Sequence, residues 1–229
     1  MIDLGLDAAE MVLLRDALAT PHDVHFRVKI LDRNEDEVAQ LTPQVIGGQV
    51  SVDTTSDGPT RHLACTFTDE ENVIQFDPAS PGDGAMFADN FLSIDYGVWV
   101  DGMDRFVDVP VFTGPITHYE RDGSEATVEC QGKEVLLLAP MVQWRTKKFP
   151  KGTRITDAIH DLLWMHGERK MVIPRLHKRL HKPLVVTRHQ EPWRVIRHLV
   201  GALPGNYIGL YDGAGYFRVR EPASDSVFT

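Results

Sequence analysis

Apolar residues at every second position are the feature that most constrains how this chain can fold. The alternation is clearest in two runs, residues 24–30 and residues 61–68. Successive side chains of a β-strand point to opposite faces, so such a run predicts a strand with one buried face. Further strands are predicted at residues 50–52, 91–100, 106–113, 116–121 and 126–131. Many short strands separated by Gly, Asp and Pro turns predict an antiparallel barrel or sandwich.

Turn-forming residues indicate how these strands connect. The first run ends in a polar stretch at residues 32–36 and Val38 begins the return, which predicts a β-hairpin. Gly47 and Gly48 predict a sharp redirection of the chain before the next strand. Residues 77–89 combine two prolines with two glycines, so they predict an exposed loop.

Helical spacing predicts a first helix over residues 7–19, with Asp7 and Glu10 as a capping box. Its apolar face consists of Met11, Leu14 and Leu18. Thr153 is predicted to cap a second helix at residues 153–165. The core stripe of that helix is Ile155, Ile159, Leu162 and Leu163. Pro192 is predicted to open a third helix. The inward residues of the third helix are Trp193, Ile196, Leu199, Val200 and Leu203.

The rest of the C-terminal part predicts short extended pieces. Residues 147–152 are predicted to be a basic linker and residues 183–186 a strand. A closing hairpin is predicted from residues 207–211 and 216–220 around a Gly-containing turn. The fold class is therefore α+β and mainly β, with an antiparallel β-barrel domain followed by a smaller α/β domain. The predicted domains are an N-terminal helical arm (1–21), an acidic β-barrel (22–145) and a basic α/β domain with two helices and the hairpin (146–229).

Charge divides the chain into two parts of opposite sign. Residues 1–144 contain 8 Lys and Arg against 26 Asp and Glu, whereas residues 145–229 contain 16 against 7. An acidic part opposes nonspecific adhesion to nucleic acid. A basic part can attach to an acidic surface, including the acidic part of a neighbouring copy. The alternative is that both parts are simply solvated surfaces.

Three clusters of polar residues have spacings similar to those of metal or catalytic sites. The spacing of Asp32, Asn34 and Asp36 is similar to the start of a calcium loop, but Glu37 and Pro43 stand where such a loop needs Gly and Glu. A plain hairpin turn is therefore expected. Asp101 and Asp104 could form a carboxylate pair, yet such pairs are frequent in an acidic chain, so a solvated turn is expected.

His177 and His181 have the spacing that places two imidazoles on one helix face. Lys178 and Arg179 between them would repel a metal ion, so a basic surface arm is expected. Cys65 and Cys130 lie in alternating apolar runs and are expected to be free buried thiols. Trp164 and Trp193, the aromatic residues that could support nucleic-acid binding, are expected to pack in the core because they fall in helices.

Sequence motifs of common enzymes are missing from the chain. It contains no Gly-x-Ser-x-Gly, no phosphate-binding loop ending in Lys-Ser or Lys-Thr, no His-Glu-x-x-His and no Cys-x-x-Cys. We therefore predict no catalytic residue, no cofactor and no metal site, and no enzymatic activity. The longest apolar runs are too short for a membrane helix, and the N-terminus lacks the features of a secretory signal, so synthesis in a cytoplasm is expected.

Several segments, taken in order, are similar to phage tail hub proteins, the minor tail proteins of long-tailed phages. Residues 28–32, 41–43, 47–53 and 61–69 resemble the opening barrel of that family. Residues 111–116 and 126–131 resemble its later barrel strands. Residues 152–159, 191–196 and 212–215 resemble its helix start, closing helix and closing hairpin. The resemblance covers residues 24–221 and contains no catalytic signature.

This resemblance implies a structural subunit of a virion, located at the tail tip. Such subunits form a ring, as a trimer in preference to a hexamer, that closes the distal tail tube and lines the DNA ejection channel. The implied partners are further copies of the chain and the distal tail, tape measure and fibre or spike proteins. DNA would pass without specific binding. The alternatives are a distal tail ring protein, a host-surface carbohydrate-binding module that uses residues 77–89 and Trp99, and a hydrolase.

Overall fold

The structure is a computed structural model that describes residues 4–41, 45–53, 60–68, 90–139 and 146–221. The chain divides into two compact units. Unit 1 comprises Met1–Asp53, Arg61–Gly132 and Asp212–Ala214. Unit 2 comprises Thr54–Thr60, Lys133–Tyr211 and Gly215–Thr229. The three-domain boundaries derived from the sequence stay a prediction. The predicted loop at residues 77–89 lies outside the described residues.

Unit 1 is mainly β, with one helix and seven strands among its described residues. Its helix is α1 (Ala8–Leu18). Its strands are β1 (Val24–Leu31), β2 (Glu37–Gln40), β3 (Val45–Val52), β4 (Arg61–Thr68), β5 (Phe91–Val100), β6 (Arg105–Asp122) and β7 (Glu125–Gln131). All seven form one antiparallel sheet in the order β2-β1-β5-β6-β7-β4-β3. The predicted strands at residues 61–68 and 91–100 are confirmed.

The sheet of unit 1 curves around its larger apolar cluster. Val28 of β1, Phe67 of β4 and Phe112 of β6 are fully buried in the same cluster, although their strands stand far apart in the strand order. The edge strands β2 and β3 nevertheless do not pair with each other in the part of the chain that the structure describes. The predicted closure into a barrel is therefore not found within one copy.

Two glycine positions that looked like turns lie inside strands. The two strands predicted at residues 106–113 and 116–121 are one strand, β6. It continues through Gly114, where the backbone carbonyl of Gln131 comes so close that any β-carbon would collide with it. Gly47 and Gly48 likewise lie within β3, beside an irregularity in its pairing with β4. Glycine is favoured at close backbone approaches and bulges as well as at turns, which is why these two predictions were wrong.

The first helix begins as predicted. Asp7 accepts hydrogen bonds from the backbone N–H groups of Ala9 and Glu10, and the Glu10 carboxylate accepts one from the Asp7 N–H, so the capping box is confirmed. The predicted apolar face is only partly buried. Leu14 packs against β5 and β6, but Leu18 is 47% exposed.

Unit 2 packs two helices and five short strands around a second apolar cluster within the described residues. The helices are α2 (Ile155–Met165) and α3 (Pro192–Gly201). The strands are β8 (Lys147–Phe149), β9 (Met171–Val172), β10 (Leu184–Val186), β11 (Ile208–Tyr211) and β12 (Phe217–Arg220). β8 pairs with β10, and β11, β12 and β9 form a three-stranded sheet. The predicted core residues of α2 and α3 are buried, and the closing hairpin is confirmed.

Two details of unit 2 differ from the sequence prediction. Thr153 does not cap α2, because the cap position is Arg154 and the Thr153 hydroxyl donates to the carbonyl of Pro150 instead. Residues 147–149 are not a linker but strand β8, since Phe149 is buried in the core of unit 2. The basic side chains around Phe149 concealed this strand in the sequence.

Candidate interaction surfaces

The edge strand β3 is largely exposed. Among the described residues its backbone pairs on one side only, with β4. Two of its apolar side chains, Ile46 and Val52, are each 53% exposed. Beside the strand lies an apolar groove of about 600 Å³ that also reaches Phe26 and Val28 of β1. An unpaired edge with exposed apolar residues can bind another extended chain.

Charged side chains form a ladder on the solvent face of β1, β5 and β6. His25 and Arg27 both contact Asp108, at 2.7 Å from Nε2 to Oδ1 and 2.8 Å from Nη1 to Oδ2. One step further along β1, Lys29 lies 3.3 Å from Asp95. Alternate residues of a strand share a face, so these pairs follow directly from the period of two. Their charges are already compensated, which makes this face a poor candidate for binding an ion.

An aromatic pair lies beside this ladder. Trp99 meets Phe106 edge to face, with ring centroids 5.1 Å apart, and Phe106 also contacts the ring of His25. The indole N–H of Trp99 donates to Asp101 at 2.8 Å. The His25 ring lies across Gly97, where a side chain would collide with it. Glycine at this position lets the imidazole reach Asp108.

Residues 169–190 are the main positively charged surface of unit 2. We call them the basic segment. They contain seven Lys and Arg, three His and no Asp or Glu. The sequence prediction of a basic surface arm is confirmed, because His177, Lys178, Arg179, His181 and Lys182 are all exposed. His177 and His181 lie outside any helix, so the helical spacing on which a metal site would depend does not exist.

The exposure of Trp164 contradicts one of the sequence predictions. It was expected in the core, but it is 51% exposed on α2, whereas Trp193 is buried as expected. The Arg169 guanidinium lies over the Trp164 ring at 3.6 Å from its centroid, and His160 stacks at 6.0 Å. Arg169 is fixed further by donating to the Trp164 carbonyl. The spacing of apolar residues predicts which face of a helix is buried. It does not show whether a residue at the border of that face is buried or exposed.

A buried ion pair lies in unit 2. The Lys133 ammonium is 2.7 Å from a Glu168 carboxylate oxygen, and the two side chains are 3% and 6% exposed. Lys133 also donates to the carbonyl of Gly215. The other Glu168 oxygen accepts from the backbone N–H groups of Arg169 and Lys170. Hydrogen-bond and ion-pair partners within the protein therefore surround both charges.

Glu134 is a second buried carboxylate in unit 2. It is 0% exposed and accepts a hydrogen bond from the Thr60 hydroxyl at 2.6 Å. The backbone N–H of Tyr211 donates to the same oxygen at 3.4 Å. The burial of Glu134 could not be predicted from the sequence, because its partners Tyr211 and Thr60 are 77 and 74 residues away along the chain.

The carboxylate clusters with site-like spacing in the sequence lie in turns of the structure. Asp32 accepts hydrogen bonds from the N–H groups of Asn34 and Asp36 within the β1–β2 turn, and these bonds lower the pKa of its carboxyl. The plain hairpin turn is therefore confirmed. Asp101 and Asp104 are exposed at a short 3-10 helix, as expected for a solvated turn. Within the described residues no three His, Cys, Asp or Glu side chains group as a metal site.

Both cysteines are free and buried, as predicted. Burial raises the pKa of Cys65 to about 11. Burial, and to a smaller extent the neighbouring Cys65, raise the pKa of Cys130 well above its ordinary value. Both thiols therefore stay protonated at neutral pH, which makes them poor nucleophiles and poor metal ligands.

Together these features define a mainly β chain whose seven-stranded sheet is antiparallel, with β3 at its edge among the described residues and with two parts of opposite charge. None of the helices that the structure describes combines the length and apolar character needed to cross a membrane. No protein-family model and no curated protein matches the chain.

Solved structures do show a similar fold. The 43 kDa tail protein of prophage MuSo2 from Shewanella oneidensis matches 90% of this chain at a TM-score of 0.56 and 12% identity. A chain of the half-lidded Francisella PdpA-VgrG complex matches 95% at a TM-score of 0.51 and 11% identity. This chain spans 58% of the first protein and 36% of the second. At these identities the similarity is one of fold.

Proposed function

We propose that the chain is a structural subunit of a phage tail tip, which forms the hub ring that closes the distal tail tube. The observation that supports this most directly is the fold shared over 90% of the chain with a prophage tail protein. The resemblance of ordered sequence segments to tail hub proteins supports it independently. The residues that the structure describes support a scaffold role, since their charged clusters are paired or exposed rather than gathered around a cavity.

The uncovered edge of the sheet suits assembly into a ring. In our proposal a neighbouring copy covers β3, so that the barrel absent from one copy is completed between copies. The exposed Ile46 and Val52 on this edge favour such a contact, because burying them removes apolar surface from water. Successive contacts of one surface with a different surface form a ring when the rotation between copies closes.

The acidic part of the chain suits the wall of a DNA channel. Residues 1–144 have a net charge of −18, from 8 positive and 26 negative side chains. In the proposed ring, some of these carboxylates face the lumen and repel DNA phosphates, so the genome passes without binding. A map of the ring whose lumen is lined by basic residues would contradict this proposal.

Electron microscopy of intact tails tests the proposed function. We expect a ring of three copies at the distal end of the tube, in contact with the distal tail, tape measure and fibre or spike proteins. Six copies per ring would favour the distal tail protein instead. Purified particles that lack the chain would contradict a virion role. Zymography with the purified chain is expected to show no hydrolysis of host cell wall.

The aromatic pair on the solvent face of unit 1 supports one alternative function, a host-surface carbohydrate-binding module. Phe106 is 39% exposed beside Trp99, and exposed aromatic rings are common in contacts with sugars. Labelled chain would then bind to host cells, and Phe106→Ala would abolish the binding. A hub subunit is expected to show no such binding in isolation.

A further inference from the structure

The backbone of the basic segment is fixed, which distinguishes it from a loose charged tail. Leu180 exchanges two backbone hydrogen bonds of 2.9 Å with Gly152 and Thr153, and the Ile155 N–H donates to the Lys178 carbonyl at 3.0 Å. Five partly buried apolar residues of the segment pack against the core of unit 2, namely Met171, Ile173, Leu176, Leu180 and Leu184. The cationic side chains between these apolar residues are exposed to solvent on a backbone whose position is fixed.

The segment contains no carboxylate of its own that could compensate its charge. The carboxylates at its two ends are engaged elsewhere, Glu168 with the buried Lys133 and Glu191 with Arg194 at 3.7 Å. Lys178 and Lys182 are exposed on residues 169–190, which contain no acidic residue. Like charges at this density raise the free energy of the isolated chain, and an acidic partner would lower it.

The first residue of the segment, Arg169, contacts an exposed aromatic side chain. Trp164 is 51% exposed, and the Arg169 guanidinium lies over its ring. Trp and Arg are the residue types most enriched where binding energy concentrates in protein interfaces. A fixed Arg also loses little side-chain entropy on binding. This combination indicates a protein partner with an acidic surface.

Unit 1 has such a surface at the end of the β6–β7 hairpin. Asp122 and Glu125 stand directly opposite each other. Glu120 lies opposite Thr127 and Glu129 opposite His118, so the alternation of the strands places all four carboxylates on one face. His118, on the same face, lies 3.9 Å from Glu120. All four carboxylates are exposed. Like charges directly opposite on neighbouring strands are destabilising, so this face gains stability when cations approach it. We call these four residues the acidic face.

We propose that the basic segment of one copy docks on the acidic face of a second copy, as a head-to-tail contact. The proposal rests on the proposed function in that it supplies a contact between subunits of the ring. A nucleic acid is the less favourable partner, since the chain as a whole has a net charge of −9 and repels phosphates. A second copy presents the complementary charge on the same molecule.

Charge reversal in the full chain tests the contact. Lys178→Glu with Lys182→Glu, and separately Glu120→Lys with Glu125→Lys, should each weaken self-association at low salt by about tenfold or more in analytical ultracentrifugation. The combination of all four changes restores the net charge of −9 and opposite signs on the two surfaces. It should therefore restore self-association, which a merely structural defect would not. High salt should weaken assembly of the wild type.

The control is Lys148→Glu with Arg220→Glu, which reverses two exposed cations of unit 2 outside the segment and should leave assembly unchanged. The proposal would be overturned if the wild type is monomeric at low salt. It would also be overturned if the variant that combines all four substitutions does not regain self-association. Lost binding of a short DNA probe in the lysine variant, without salt-sensitive self-association, would assign the segment to nucleic acid instead. Rings in intact tails that tolerate every reversal would refute this contact and leave the proposed function standing.

Discussion

Lys133 and Glu168 show how strongly a single residue can depend on its environment. Their ion pair is almost completely buried, whereas the pair of Lys147 and Asp161 in the same unit has similar chemistry at 3.1 Å with Asp161 51% exposed. Water screens the second pair and competes for both of its charges. In the first pair water is almost excluded, so the energy of each charge depends on its partners within the protein.

Glu168→Gln should therefore destabilise unit 2 by about 3–5 kcal/mol, since it removes the carboxylate charge 2.7 Å from the buried Lys133 ammonium. Urea unfolding followed by circular dichroism measures this change. The matched control is Asp161→Asn, which should cost less than about 1 kcal/mol because that pair is half exposed. Equal losses in the two variants would show that burial does not decide the energy of the Lys133 pair.

Contacts between residues close together in the sequence were predictable, whereas contacts between residues far apart were not. The capping box of Asp7 and Glu10 was predicted because both partners lie within one helical turn. The pair of Lys133 and Glu168 was not, because its partners are brought together only by the fold of unit 2. The exposure of Trp164 was missed for the same reason, since the neighbours that leave it uncovered are not encoded in the spacing of α2.

At the level of elements, alternation located the strands but not their edges. β4 and β5 match the predicted ranges because turn residues bound both runs. β3 and β6 are longer than predicted, because glycines inside them were interpreted as turns. Which strands stand at the edge of a sheet depends on the pairing of the whole sheet, so the open position of β3 could not be predicted from its own residues.

The open edge of β3 gives a prediction about assembly. Ile46→Lys with Val52→Lys should prevent ring formation, because charged side chains on an edge strand oppose its pairing with another chain. Size-exclusion chromatography with light scattering measures the mass of the particle. Val12→Lys is the control, since Val12 is 57% exposed on the helix α1, where no strand can pair. Rings that form unchanged from the β3 variant would contradict a contact through this edge.

At the level of the whole molecule, the apolar residues form separate cores in the two units. The cluster containing Phe67 belongs to the curved sheet of unit 1, and the cluster containing Ile159 belongs to unit 2. The predicted boundary between residues 145 and 146 indicated two such regions. What the sequence could not provide is the exact partition, because unit 1 includes Asp212–Ala214 from the far end of the chain.

Separate cores predict separate thermal transitions, because each compact unit buries its own apolar residues. Ile159→Ala should destabilise unit 2 by about 2–5 kcal/mol and lower one transition in scanning calorimetry. Phe67→Ala should destabilise unit 1 by about 3–5 kcal/mol and lower the other. Both side chains are 0% exposed, so the two substitutions are matched in burial. A single transition that both substitutions lower equally would mean that the chain unfolds as one cooperative body.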